Sequence, residues 1–203
     1  MPTGKRRMSV NMWWLTWRAR LSIPSLLATW EERKVISVIS GANGALAIFT
    51  VSLLAWVTGL PLVFPALGPT AFILFSKPFS PDAAPRSVIL GHFSGIASGI
   101  VAWHVFSYLG TQPVSLDVLG WPTLASASVA LATTCFLLVR FSCPHAPACA
   151  SALIIALGGA SGWLNMFAMA VAVVVLSAQA LVLYRIGGVK TPSWAPEPRS
   201  LHR

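Results

Sequence analysis

The sequence predicts an all-α membrane protein. We expect a helical bundle of six hydrophobic segments in two inverted three-segment repeats, with two short broken helices and an N-terminal interfacial helix. Three observations predict it. Of 203 residues, 56% are hydrophobic and 9% charged, with a mean hydropathy of +0.74, whereas soluble domains average about 25% charged residues. Uncharged apolar runs of membrane length recur along the chain. Their order is long, short, long, then long, short, long.

Residues 1–34 form a basic tail and an amphipathic segment. Residues 12–30 hold four tryptophans and two arginines, a mixture that prefers the headgroup zone to hydrocarbon. Lys5, Arg6 and Arg7 resemble a signal-peptide n-region. Arg18 and Arg20 interrupt the apolar run that should follow, so we expect no cleaved leader.

Residues 35–186 form the membrane domain, with repeat one at 35–109 and repeat two at 120–185. Val35–Val57, Ser87–Tyr108, Trp121–Val139 and Trp163–Tyr184 are long enough to span. Leu60–Ser76 is short and broken by Pro61, Pro65, Gly68 and Pro69, and Ala148–Gly162 is short and ends in glycines. Proline removes a backbone donor, and broken backbone at membrane depth is tolerated only in protein or beside a cavity. Paired short, Gly/Pro-interrupted segments in two halves point to a transporter site. Residues 187–203 read as a disordered tail.

Charge favours six crossings. With the N-terminus cytoplasmic, all fourteen Lys and Arg residues fall on the inner side, and Asp117 is the one charge in the outer loops. Treating the short segments as dips would put Lys77, Arg86 and Arg140 outside, against the positive-inside bias. This places both termini in the cytoplasm of a cell, with the bacterial inner membrane as the expected location. The scattered positive charge argues against a nucleic-acid partner, which would need a basic patch.

Gly91, Gly95 and Gly99 recur every four residues. Small residues at that spacing let helices approach closely in lipid. They suit intrachain packing or a homo-oligomer through the glycine-rich face.

The candidate site residues follow from the breaks. Thr70 follows the Gly68-Pro69 break, and Ser151 follows Pro147 in the second short segment. Free N–H groups at a helix start attract anions, and the hydroxyls can donate to the same ligand or cap the helix. His92 lies about 9 Å along the helix from Arg86, and an ionisable residue at membrane depth is a functional candidate. It can carry a proton near neutral pH. A neutral ring bonded to a freed carbonyl is the structural alternative. His145 precedes the second short helix, and Lys77, Arg86 and Arg140 would concentrate anions on its side. Asn43, Asn165 and Gln179 suit bridges between helices, and His104 an interfacial position.

Three cysteines give no paired disulfide framework. The spacing of Cys143, His145 and Cys149 fits no zinc pattern, so we expect no metal. Neither a hydrolase motif nor a phosphate loop is present, and five acidic residues leave little for acid–base catalysis. An enzyme is not expected, nor a cofactor.

Gly68-Pro69-Thr70-Ala71, Pro85-Arg86-Ser87-Val88-Ile89-Leu90-Gly91-His92 and His145-Ala146-Pro147-Ala148-Cys149-Ala150-Ser151-Ala152-Leu153 resemble the HPP family of integral membrane proteins over about residues 35–185. The family signature is a His-Pro-Pro motif running into Ala-Gly-Ala-Thr-Ala. Here Ala146 stands for its first proline, Cys149 for its glycine and Ser151 for its threonine. The resemblance implies four spans, against the six that charge favours. It also implies nitrite transport, an activity of some cyanobacterial and chloroplast members.

Together these readings predict a secondary transporter or channel for a small inorganic anion, with nitrite the leading substrate. Its expected contacts are Gly68, Thr70, Arg86, Ser87, His92, His145, Pro147 and Ser151. Two alternatives are a non-transporting subunit that recruits a partner through its basic termini, and a haem-binding membrane protein using His92 or His104.

Overall fold

The computed structural model describes residues 22–112, 114–117 and 119–196, and among these the regular structure is helical. Seven helices follow in order: α1 (Ile23–Thr29), α2 (Glu32–Thr58), α3 (Leu67–Ser76), α4 (Pro85–Leu109), α5 (Trp121–Arg140), α6 (Pro147–Ala156) and α7 (Trp163–Ile186). Pro24, Pro85, Pro122 and Pro147 sit in first turns, where a missing N–H leaves no gap in the helical bonding. The chain leaves α2 through Gly59 at φ 70°, a left-handed C-terminus that glycine adopts without strain.

α2, α4, α5 and α7 are each long and apolar enough to cross a membrane. α3 and α6 have ten residues each and rise about 15 Å, half the hydrocarbon thickness. The expected long and short segments are therefore four full-length helices and two half-length ones. Between Gly59 and the turn before α3, the Pro61 and Pro65 region is non-helical.

Of the expected interfacial segment, only its end is described. It forms the seven-residue α1, where the Ile23 N–H donates to Gly187 O at 2.9 Å. Residues 12–21, like the far C-terminal residues 197–203, lie outside the described residues. Within the expected tail, Trp194 O accepts the Arg86 N–H at 3.0 Å.

Long-range bonds fix how the helices run. Phe75 O, near the end of α3, accepts from Ser40 Oγ on the first half of α2 (2.9 Å) and from the Tyr184 hydroxyl near the end of α7 (2.8 Å). α3 thus returns antiparallel to α2. Arg86, at the start of α4, reaches carbonyls just past the end of α5. Lys77, Arg86, Arg140, Arg185 and Lys190 share this basic end of the bundle.

The glycine seam sets α6 parallel to α4. A Cβ on Gly91 would meet His145 Cβ at 2.9 Å, one on Gly95 would collide with the Ala148 carbonyl, and one on Gly99 would lie 2.7 Å from Ala152 O. Successive glycines meet successive turns of one neighbour, so backbone-to-backbone contact is possible only without side chains. The seam is filled within the chain. Around it, Leu67, Phe75, Val88, Ile155, Met169, Val173 and Leu176 form the main core. α2 buries only Val35, Ala47 and Val51 and turns the rest of its surface outward.

Candidate functional site

Four of the predicted polar residues meet in the interior. Thr70, His92 and Ser151 are fully buried and His145 nearly so. Thr70 comes from α3, His92 from α4, Ser151 from α6, and His145 from the turn that precedes α6. Thr70 Oγ1 lies 3.0 Å from His92 Nε2, 3.2 Å from His145 Nε2 and 2.8 Å from Ala66 O. His92 Nδ1 lies 2.8 Å from Ser151 Oγ, and His145 Nδ1 lies 2.8 Å from Asp82 O. The imidazole centroids are 4.9 Å apart, and Phe64 packs edge-on against His92 with centroids at 6.4 Å.

The sequence explains why they meet. The non-helical stretch with Pro61 and Pro65 delays α3 to Leu67; the expected break at Gly68-Pro69 instead lies within the first turn of α3, where proline is tolerated, and Thr70 follows directly. Gly91 removes the side chain that would hold the His145 backbone away from α4. Gly95 and Gly99 then bring α6 close enough for Ser151 to reach His92.

The partners dictate the protons. A carbonyl only accepts, so His145 Nδ1 carries the hydrogen that Asp82 O receives. If both rings are neutral, His145 Nε2 is bare and accepts a hydrogen bond from the Thr70 hydroxyl. The other side of Thr70 Oγ1 then accepts from His92 Nε2–H, and His92 Nδ1 accepts from Ser151 Oγ–H. This is the one donor order that satisfies every ring contact with two neutral histidines.

The helix starts differ from expectation. Leu67 N–H donates to Phe64 O (3.1 Å), Gly68 N–H to Pro65 O (3.4 Å) and Thr70 N–H to Ala66 O (3.3 Å), while Pro69 has none. Ahead of α6, Ala148 N–H donates to His145 O and Cys149 N–H to Ala146 O, both at 3.0 Å, and Pro147 has none. The residues before both helices, Ala66 and Ala146, are already helical in φ and ψ. The chain therefore enters each helix wound as a tight turn that occupies these donors. The backbone N–H groups expected to hold an anion are taken. What remains in the interior is hydroxyl and imidazole.

The other predicted residues stand apart from the network. Gly68 lines an open groove of about 890 Å³ between α2 and α3. Arg86 donates from Nη1 to Ser142 O (3.0 Å) and from Nη2 to Phe141 O (2.9 Å), clamping the turn that leads to His145. Ser87 is fully buried, and its hydroxyl has no hydrogen-bond partner among the described residues. Pro147 is buried as the first residue of α6. Gln179 bridges α7 to Thr50 on α2 at 3.1 Å, and His104 is exposed with Nδ1 3.0 Å from Ile100 O.

Sequence reading missed Asp82 O, Ala66 O and Phe64. The first two act through main-chain carbonyls, which no residue type announces. The proline-rich run containing Asp82 was the available signal, since it leaves carbonyls without helical partners. On the basic side, His145 forms part of the wall of an open cavity of about 750 Å³, with Asp82, Ser142, Pro144 and Cys149.

The fold and site define a polytopic α-helical membrane protein with a buried hydroxyl–imidazole network. A model of the HPP transmembrane region matches residues 31–192, and the chain belongs to the HPP family. No curated protein and no solved structure matches it.

Proposed function

We propose that the chain is a transporter for a small anion, with nitrite the leading substrate and the Thr70–His92–His145–Ser151 network as its central site. The observation that carries this reading is the convergence of four polar side chains from separate elements in an apolar interior. A bundle that served only as an anchor gains nothing from them, because polar groups at membrane depth are costly to bury and mark function. The anion would enter by exchanging for one hydroxyl–imidazole bond and would receive hydrogen bonds from Thr70 or Ser151.

On this reading the chain passes six times, with 60–76 and 148–162 as the short passes, related by inverted topology. The antiparallel α3 and the parallel α4 and α6 agree with alternating passes. The basic end faces the cytoplasm, following the positive-inside bias, and the membrane is the bacterial inner membrane. A haem reading is less well supported. Both nitrogens of His92 and of His145 are within hydrogen-bond distance of protein partners, and the rings are too close to flank a macrocycle.

Purified protein in liposomes tests the proposal. Nitrite, nitrate and formate uptake should exceed that of protein-free vesicles for at least nitrite. Absence of flux for all three under both inward and outward gradients would remove the proposal.

A further inference from the structure

We propose that the network binds one proton as a second ligand of the site, and that the Thr70 hydroxyl is the switch that accommodates it. This deepens the transport reading and rests on it for its physiological meaning. The proton itself can be counted on protein that transports nothing.

Thr70 has one hydrogen and three partners within hydrogen-bond distance: His145 Nε2, His92 Nε2 and Ala66 O. With neutral rings, its hydrogen points to His145 and Ala66 O keeps only the Thr70 N–H. Adding a proton to His145 gives that ring a hydrogen on each nitrogen. His145 Nε2–H then donates to Thr70 Oγ1, and the Thr70 hydrogen turns to Ala66 O. Every donor still has an acceptor, and no heavy atom must move. The hydrogen lost from the Thr70–His145 bond is replaced by the one that arrived. Charge on His92 would point Nδ1–H at Ser151 Oγ, whose own hydrogen has no second acceptor among the described residues, so His145 is the favoured holder of the pair's one proton. A second proton would put like charges on rings 4.9 Å apart, so the pair takes one proton as a unit.

The proton has a way in at the basic end. Asp82, Ser142 and Pro144 line the open cavity whose wall includes His145, while Phe64 covers His92 on another side. Other ionisable groups on the packed elements are already placed. Arg86 is bound to the Phe141 and Ser142 carbonyls, and Tyr184 donates to Phe75 O. On α5 and α6, Cys135 and Cys149 face each other at 3.9 Å, Cys143 is buried in the turn and Arg140 is exposed. The Asp82 contact to His145 is through its carbonyl, and α3 has no ionisable side chain.

The test is nitrogen-15 NMR of histidine-labelled protein in lipid nanodiscs, with assignment by His92→Asn and His145→Asn. Four histidines keep the spectrum resolvable. At alkaline pH, His145 should carry hydrogen on Nδ1 and His92 on Nε2. Acidification should add one proton shared by the pair. Thr70→Val removes the oxygen that receives the His145 Nε2–H, so the pair should take its proton only at lower pH than wild type, and Thr70→Ser should behave as wild type, which also controls for folding. An Nε2–H tautomer at His145, two independent protons in the wild type, or a Thr70→Val titration matching wild type would each overturn the switch. Anion flux without this titration defeats the switch alone. The titration without flux defeats the transport reading alone.

Discussion

His92 Nδ1 lies 2.8 Å from the hydroxyl of Ser151, a residue 59 positions further along the chain. That contact joins the long helix α4 to the half-length helix α6, and both residues are fully buried. The family signature has threonine at the Ser151 position, so the hydroxyl is the shared feature.

Ser151→Ala should leave a buried ring nitrogen unpartnered, a loss of about 1–3 kcal/mol. If about 1.4 kcal/mol of that falls on the transport barrier, flux drops about tenfold. Ser151→Thr should retain flux. Initial rates of nitrite uptake in liposomes, normalised to reconstituted protein, check both. Equal rates for the alanine and threonine variants would show that the hydroxyl is not used.

His92→Gln should shift the pH dependence of uptake without abolishing it, because His145 keeps its partners Thr70 and Asp82 O and loses only its titratable neighbour. If a proton accompanies the anion, wild-type uptake rises as the external side is acidified, because more of the network is loaded. Glutamine cannot accept a proton, so His145 titrates alone. A pH series from mildly acidic to alkaline, with the membrane potential clamped, measures this. A pH profile in the variant that coincides with wild type separates His92 from proton coupling.

Arg86 was expected to attract substrate, but its guanidinium holds the carbonyls of Phe141 and Ser142. A cation there also complements the C-terminal end of α5. Lysine is a point charge that cannot span both carbonyls as the planar fork does. Arg86→Lys should therefore lower the melting temperature in detergent and the maximal rate, with KM for the anion little changed. A raised, salt-sensitive KM without loss of stability would return Arg86 to an attracting role.

The seam can be tested against a site with room. Gly95→Ala should destabilise by about 1–3 kcal/mol through overpacking, because its Cβ would strike the Ala148 carbonyl. Gly41 has nothing within 4 Å of an added Cβ, and Gly41→Ala should leave stability unchanged or raise it by up to about 1 kcal/mol through helix propensity. Thermal unfolding of both variants, followed by circular dichroism, gives the comparison. Equal melting temperatures for the two would mean that α4 and α6 are not in backbone contact.

Much of this protein was legible along the chain. Low charge and long apolar runs require helices in lipid, and prolines beyond the first turn kink or break a helix. Thr70, His92, His145 and Ser151 stood out because hydroxyls and imidazoles beside such breaks are conspicuous in an apolar background. The Gly91–Gly95–Gly99 repeat announced a close helix contact, though not its partner. These are local properties, carried by residue type and spacing.

Tertiary structure decided which groups face one another. Thr70 and His145 are 75 residues apart, and Arg86 and Ser142 are 56 apart. No spacing rule links them. The structure also showed the half-helix N–H groups already occupied by the turns before them, and brought the carbonyls of Asp82 and Ala66 to the network. Every residue except proline has the same donor and acceptor on its main chain. Composition therefore cannot say which of them a fold leaves over to fix a tautomer or receive a proton.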